Sequence, residues 1–193
     1  KWAIDGNVFT YKKQLYMIWS GWEGDTNGQQ NIYIAKMKTP TQIDGDRVRI
    51  SSPTQPWELY GALHDDVNPP QVNVNEGPQF LTHKEKVFIV FSASGCWTDN
   101  YSLGLLTFTG KENLLDASAW VKSDQPILAQ SDQTKVYAPG HNSFFKSPNG
   151  KEDWILYHAN SKPGEGCGIK RSPRMQQIKW DKNGNPVIGE PVS

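Results

Sequence analysis

Asp5, Glu76 and His141 each stand near the start of a segment with the same layout: AIDGNVFTYKKQLYMIWSGWEG from Ala3, VNEGPQFLTHKEKVFIVFSASGCW from Val74, and APGHNSFFKSPNGKEDWILYHAN from Ala138. The first two are 71 positions apart and the last two 65. Two carboxyls and an imidazole brought to one address are groups that hold and pass protons, so a pocket shared by them would be a site of acid–base chemistry. Singly, each has an ordinary explanation as the cap of a turn, common for Asp and rarer for Glu and His; three matched positions favour a site.

The elements that must position them are the repeats themselves. In each segment a short strand is reversed by a Lys-rich or Asn-Gly turn into an aromatic-rich strand, which reads as a hairpin. Further strands complete the units: NIYIAKM, YSLGLLTFT, and RMQQIKWD followed by NGNPVIG. About four strands recurring every 60–70 residues or so is the signature of propeller blades. The expectation is an all-β fold in a single domain over residues 1–193, with blade-like units at about 3–70, 74–135 and 138–193. The innermost strand of each blade lines the central channel, so Asp5, Glu76 and His141 are expected to point into one pocket. Eight Trp, seven Tyr and seven Phe beside 17 Gly and 13 Pro agree with stiff strands and many tight turns. Only LLDASAW suggests a turn of helix.

With these stretches in order, the chain resembles glycoside hydrolase family 43, in particular its α-L-arabinofuranosidase-like members. The matching residues are WAIDG at Trp2, SGWEGDTNGQQNIYIAKM from Ser20, NEGP at Asn75, SASGCWTD from Ser92, APGHNSF at Ala138, WILYHAN at Trp154, and R-x4-Q-x3-W-x3-G-x-P from Arg171 to Pro186. The resemblance implies a five-bladed β-propeller, about three blades of it in this chain, and hydrolysis with inversion. It places the general acid on Glu76, the residue that orients the acid and tunes its pKa on Asp5, and a sugar-contacting arginine on Arg171. His141 falls where many members hold a metal ion, often calcium, partly through water. Inversion requires a protonated carboxyl for the leaving oxygen and an ionised carboxylate on the opposite face to activate water. A negative neighbour raises the pKa of Glu76, a task that suits Asp5. A guanidinium gives forked donors to hydroxyls without changing protonation, which suits Arg171; its plainer explanation is a surface cation in KRSPR. Trp22 and Trp97, in loops after the returning strands, offer faces for a sugar ring or serve blade packing. Trp19 and Trp154, inside strands, belong to the core.

The match fails at the catalytic base, an aspartate that family members carry in a first blade upstream of the IDG motif. Asp25, Asp65 and Asp66 are candidate substitutes, none of them at the repeated inner-strand address. The expectation is therefore that a missing N-terminal segment or a second chain completes the ring. The partner implied is a plant cell-wall arabinan or arabinoxylan, the alternatives being a β-xylosidase or a sugar-binding propeller without a base. A protein-interaction propeller of the WD or kelch type lacks inner-strand carboxylates. Basic and acidic residues both total 20, which argues against nucleic acid or an anionic membrane as partner, and no apolar stretch nears the roughly 20 residues of a membrane span. The chain opens on Lys1 without a signal-like segment, so a processed product or fragment is expected, extracellular by resemblance. Cys96 and Cys167 leave open one disulfide or none, and without a CxxC pair a zinc site is not indicated. Asn100-Tyr101-Ser102 is a formal glycosylation sequon. His64, His83 and His158 lack metal-ligand spacing and are read as structural or surface residues, His158 as the nearest of them to the site.

Overall fold

The computed structural model describes residues 1–111 and 113–193, and these form three four-stranded antiparallel sheets. The first holds β1 (Ala3–Tyr11), β2 (Gln14–Gly21), β3 (Asn31–Thr39) and β4 (Gln42–Ser51). The second holds β5 (Asn75–His83), β6 (Lys86–Ala93), β7 (Ser102–Phe108) and β8 (Trp120–Lys122). The third holds β9 (Tyr137–Lys146), β10 (Asp153–Asn160), β11 (Ser172–Trp180) and β12 (Pro186–Val187). Strands within a sheet follow chain order. β5 lies against both β1 and β9, so the first strand of each sheet is the inner one. Helix among the described residues is limited to two 3-10 turns, Pro56–Glu58 and Ala117–Ala119. The second falls in LLDASAW, started by Asp116 accepting the Ser118 N–H.

Strand periodicity explains how the sheets stack. In β6, Val87, Ile89 and Phe91 pack towards the first sheet, onto Phe9, Ile18, Ile32 and Ile34. Phe88 and Val90 point the other way, to Ile155, Tyr157, Ile178 and Ile188 of the third. A strand buried on both faces has no reason to alternate, hence the continuous apolar run KVFIVF. Each such side chain contributes roughly 1.5–3 kcal/mol by leaving water.

The two outward faces are also apolar. On the first sheet Met17, Trp19, Tyr33 and Ala35 cluster opposite the core, with Arg47 stacked 3.9 Å above the Tyr33 ring. On the third, Phe145, Leu156 and Met175 are exposed. Trp19 is buried, but Trp154 is not a core residue: it sits half-buried on that outer face beside Phe145, its Nε1–H donating to Glu152 Oε2 at 3.0 Å. Strand alternation puts Ile155 and Tyr157 inward and therefore Trp154 outward.

Candidate active site

All three inner strands break register with their neighbour at the same place. Ile4 pairs with Ser20 and Asn7 with Ile18; Glu76 pairs with Ser92 and Gln79 with Val90; Gly140 pairs with His158 and Ser143 with Leu156. Two residues thus face one, a bulge that bends the strand and re-aims its side chains. The first residue of each bulge is left-handed: Asp5 at φ 59°, Gly77 at 56° and His141 at 52°. The shared address is therefore Asp5, Gly77 and His141, and Glu76 stands one residue ahead of it, opposite the expectation that all three polar residues are equivalent. Left-handed backbone is strained for a side chain and free for glycine. Glu76, with its longer arm, comes in from the preceding position.

The side chains nonetheless meet. Asp5 Oδ2 accepts the Gly77 N–H at 2.9 Å, and its Oδ1 lies 3.7 Å from His141 Nε2. The Tyr101 hydroxyl donates to Glu76 Oε1 at 2.6 Å and lies 3.4 Å from His141 Nδ1. Arg171 Nη1 is 3.0 Å from His158 Nε2, and the His158 ring stacks on both Tyr101 and His141, with centroids 6.1 and 5.8 Å apart. Burial raises the Glu76 pKa above the ordinary carboxylate value and the Asp5 charge adds to this, while Tyr101, His141 and Arg171 oppose it. Burial, then Arg171 and His141, lowers His158 to about 4, so it is neutral at pH 7 and accepts from Arg171. Burial and the Glu76 charge push Tyr101 well above its usual value, which keeps it a phenol and a donor.

Two anchors hold this cluster. Glu58, fully buried, accepts the N–H groups of Thr54 and Gln55 at 2.7 and 2.8 Å, the Lys122 ammonium at 2.8 Å, and Asn75 Nδ2 at 2.9 Å. Asn75 Oδ1 in turn accepts from Ser51 Oγ at 2.6 Å, which fixes the backbone immediately before Glu76. On the other side Cys96 and Cys167 form a disulfide that ties the β6–β7 loop to the β10–β11 loop, near Tyr101 and Arg171 respectively.

Other candidates lie apart. Trp22 stacks on Trp2 with centroids 4.8 Å apart, and Trp97 packs over Gly95 while donating to the Ala62 carbonyl at 2.8 Å, so both have packing partners. Asp25, Asp65 and Asp66 are exposed in loops. Asp65 Oδ1 is tied to its own turn by the N–H groups of Val67 and Asn68, which lower its pKa. His83 stacks on Trp180 and His64 is exposed. Among the described residues no group of three His, Cys, Asp or Glu side chains is placed to hold a metal ion. Calcium takes about 6–8 oxygen ligands, so the imidazole of His141 beside the Asp5 carboxylate does not by itself fit a calcium cage. Tyr101 and His158 are the site members that spacing did not single out. Tyr101 had no signal, because a tyrosine after a sequon-like Asn looks like a surface residue, whereas His158 was marked by its place at the end of an aromatic strand.

The family model for glycosyl hydrolases family 43 matches residues 1–186. The chain is 36% identical over 196 residues to an extracellular exo-α-(1→5)-L-arabinofuranosidase of Streptomyces avermitilis, covering 99% of this chain and 38% of that protein. It is 33% identical to α-L-arabinofuranosidase 43 of Humicola insolens, covering 98% of this chain and 38% of that protein. Among solved structures, an α-L-arabinofuranosidase from Lactobacillus brevis superposes with a TM-score of 0.87 at 31% identity, over all of this chain and 57% of that one. The chain thus spans well under half the length of these curated relatives.

Proposed function

Because the chain belongs to glycosyl hydrolases family 43, we propose that it carries the acid side of an inverting glycosidase that releases terminal α-L-arabinofuranosyl residues from arabinan or arabinoxylan. The observation that carries this reading is Glu76: a carboxyl whose pKa is raised by burial and by Asp5, at the meeting point of three inner strands, with Arg171 beside it. In that role Glu76 gives its proton to the leaving oxygen, Asp5 keeps Glu76 protonated and braces Gly77, and Arg171, oriented by neutral His158, donates to sugar hydroxyls. In this reading the base comes from a further segment or chain, which the exposed loop positions of Asp25, Asp65 and Asp66 support. The exposed apolar outer face of the third sheet, with Phe145, Leu156 and Met175, supports the same conclusion, as a surface for a further blade of a five-bladed ring. A calcium ion beside His141 would be held chiefly through water. Extracellular location is in keeping with the Cys96–Cys167 disulfide.

The test is hydrolysis of aryl α-L-arabinofuranoside and aryl β-D-xyloside by this chain, alone and joined to the N-terminal blades of the Lactobacillus brevis relative, each with a Glu76→Gln counterpart. Turnover of the arabinoside is expected, with the anomer released inverted by NMR, and on an α-L-arabinofuranosyl oligosaccharide, whose leaving oxygen needs the proton, Glu76→Gln should fall roughly 10²–10⁴-fold. Preference for the xyloside makes the protein a β-xylosidase. Sugar binding without turnover in any format makes it a binding module.

A further inference from the structure

We propose that Tyr101 is a positioning residue that holds the Glu76 carboxyl in one orientation, so that Oε1 only accepts hydrogen bonds and the transferable proton rides on Oε2. The proposal rests on the glycosidase reading of Glu76. Its ground is the geometry around the Tyr101 hydroxyl. That oxygen lies 2.6 Å from Glu76 Oε1 and 3.4 Å from His141 Nδ1, so its single proton goes to the nearer acceptor. With Oε1 accepting from Tyr101, protonated Glu76 carries its own proton on Oε2.

The fold gives Tyr101 no other place to go. It is fully buried, stacked on His158, and pressed onto Gly140, where a Cβ would come within 2.3 Å of the ring. Glycine at that position makes the room, and the register pairs Gly140 with His158. During reaction the Oε2–H bond breaks and its proton goes to the leaving oxygen, which keeps the electron pair of the broken C–O bond. Water, losing its proton to the separate base, supplies the new C–O bond. The charge that appears on Glu76 is met at Oε1 by an O–H donor already in place, and a hydrogen bond to a carboxylate is stronger than one to a neutral acid. Tyr101 accordingly favours proton release, in line with its lowering influence on the Glu76 pKa.

Neutron diffraction from deuterated crystals of this chain, at a pH where Glu76 is protonated, reads the assignment directly. Deuterium on Oε2, with the Tyr101 deuterium aimed at Oε1, is expected. Deuterium on Oε1, or a Tyr101 deuterium aimed at His141 Nδ1, overturns it. In the active protein, Tyr101→Phe should lower kcat roughly tenfold for sugar or alkyl leaving groups, which need the proton, with KM within about twofold. The same variant should leave aryl leaving groups of low pKa nearly unaffected. An equal loss for both classes marks a merely structural tyrosine and overturns the proposal. Wild-type protein that turns over no glycoside overturns the glycosidase reading instead, and the neutron result then decides Tyr101 by itself.

Discussion

His158 enters the folded state at a cost in charge. Its ordinary pKa of 6.5 falls to about 4 because burial, then Arg171 and His141, disfavour the imidazolium. Between these values the unfolded chain binds a proton that the folded chain refuses, so this residue's contribution to stability is complete above about pH 6.5 and is lost as pH falls towards 4. A His158→Gln variant keeps an acceptor for Arg171 and removes the titration. Urea unfolding at pH 7, 5.5 and 4 should show wild type losing stability relative to the variant across that interval; parallel curves would mean that His158 titrates normally. At this scale the sequence exposed Asp5, Glu76, His141 and Arg171, because family motifs and repeat spacing mark them. It hid Tyr101, whose role comes from being wholly buried and 2.6 Å from a carboxylate 25 positions away.

The working unit among the elements is the bulged inner strand. Each bulge places a left-handed residue at the site, and the neighbouring glycine decides how closely the next layer approaches. Gly140→Ala would drive a methyl into the Tyr101 ring, an overpacking cost of about 1–3 kcal/mol. Thermal unfolding should register it at roughly 2–4 °C per kcal/mol, whereas Gly24→Ala, with nothing within 4 Å of the added carbon, should shift Tm hardly at all. Equal shifts in the two variants would refute the close approach. Strands, hairpins and their four-fold grouping were legible from alternation and turn residues. The bulges were not, because a one-residue slip in pairing leaves no trace in a pattern of apolar and polar residues, and only the aligned bulges reveal that Glu76 stands one residue ahead of the address of Asp5 and His141.

Across the whole molecule, adjacent sheets share one core each, and the Cys96–Cys167 bond joins the second sheet to the third across 71 residues of chain. Opening it as Cys96→Ser/Cys167→Ser should cost about 2–5 kcal/mol, read as a lower urea midpoint. An unchanged midpoint would leave the loop to its Asp99 contacts with the Gly164 N–H. The sequence by itself determined the all-β class, three units of about four strands and the family, and it marked Glu76 and Asp5 as candidates for one site, since local patterning and motif spacing are properties of the chain. Only the tertiary structure decided the disulfide, the outward place of Trp154, and the partnership of Tyr101 with Glu76 and of His158 with Arg171. These depend on which residues from different sheets come within hydrogen-bond reach, and that is set by strand register and by the packing of one sheet on the next.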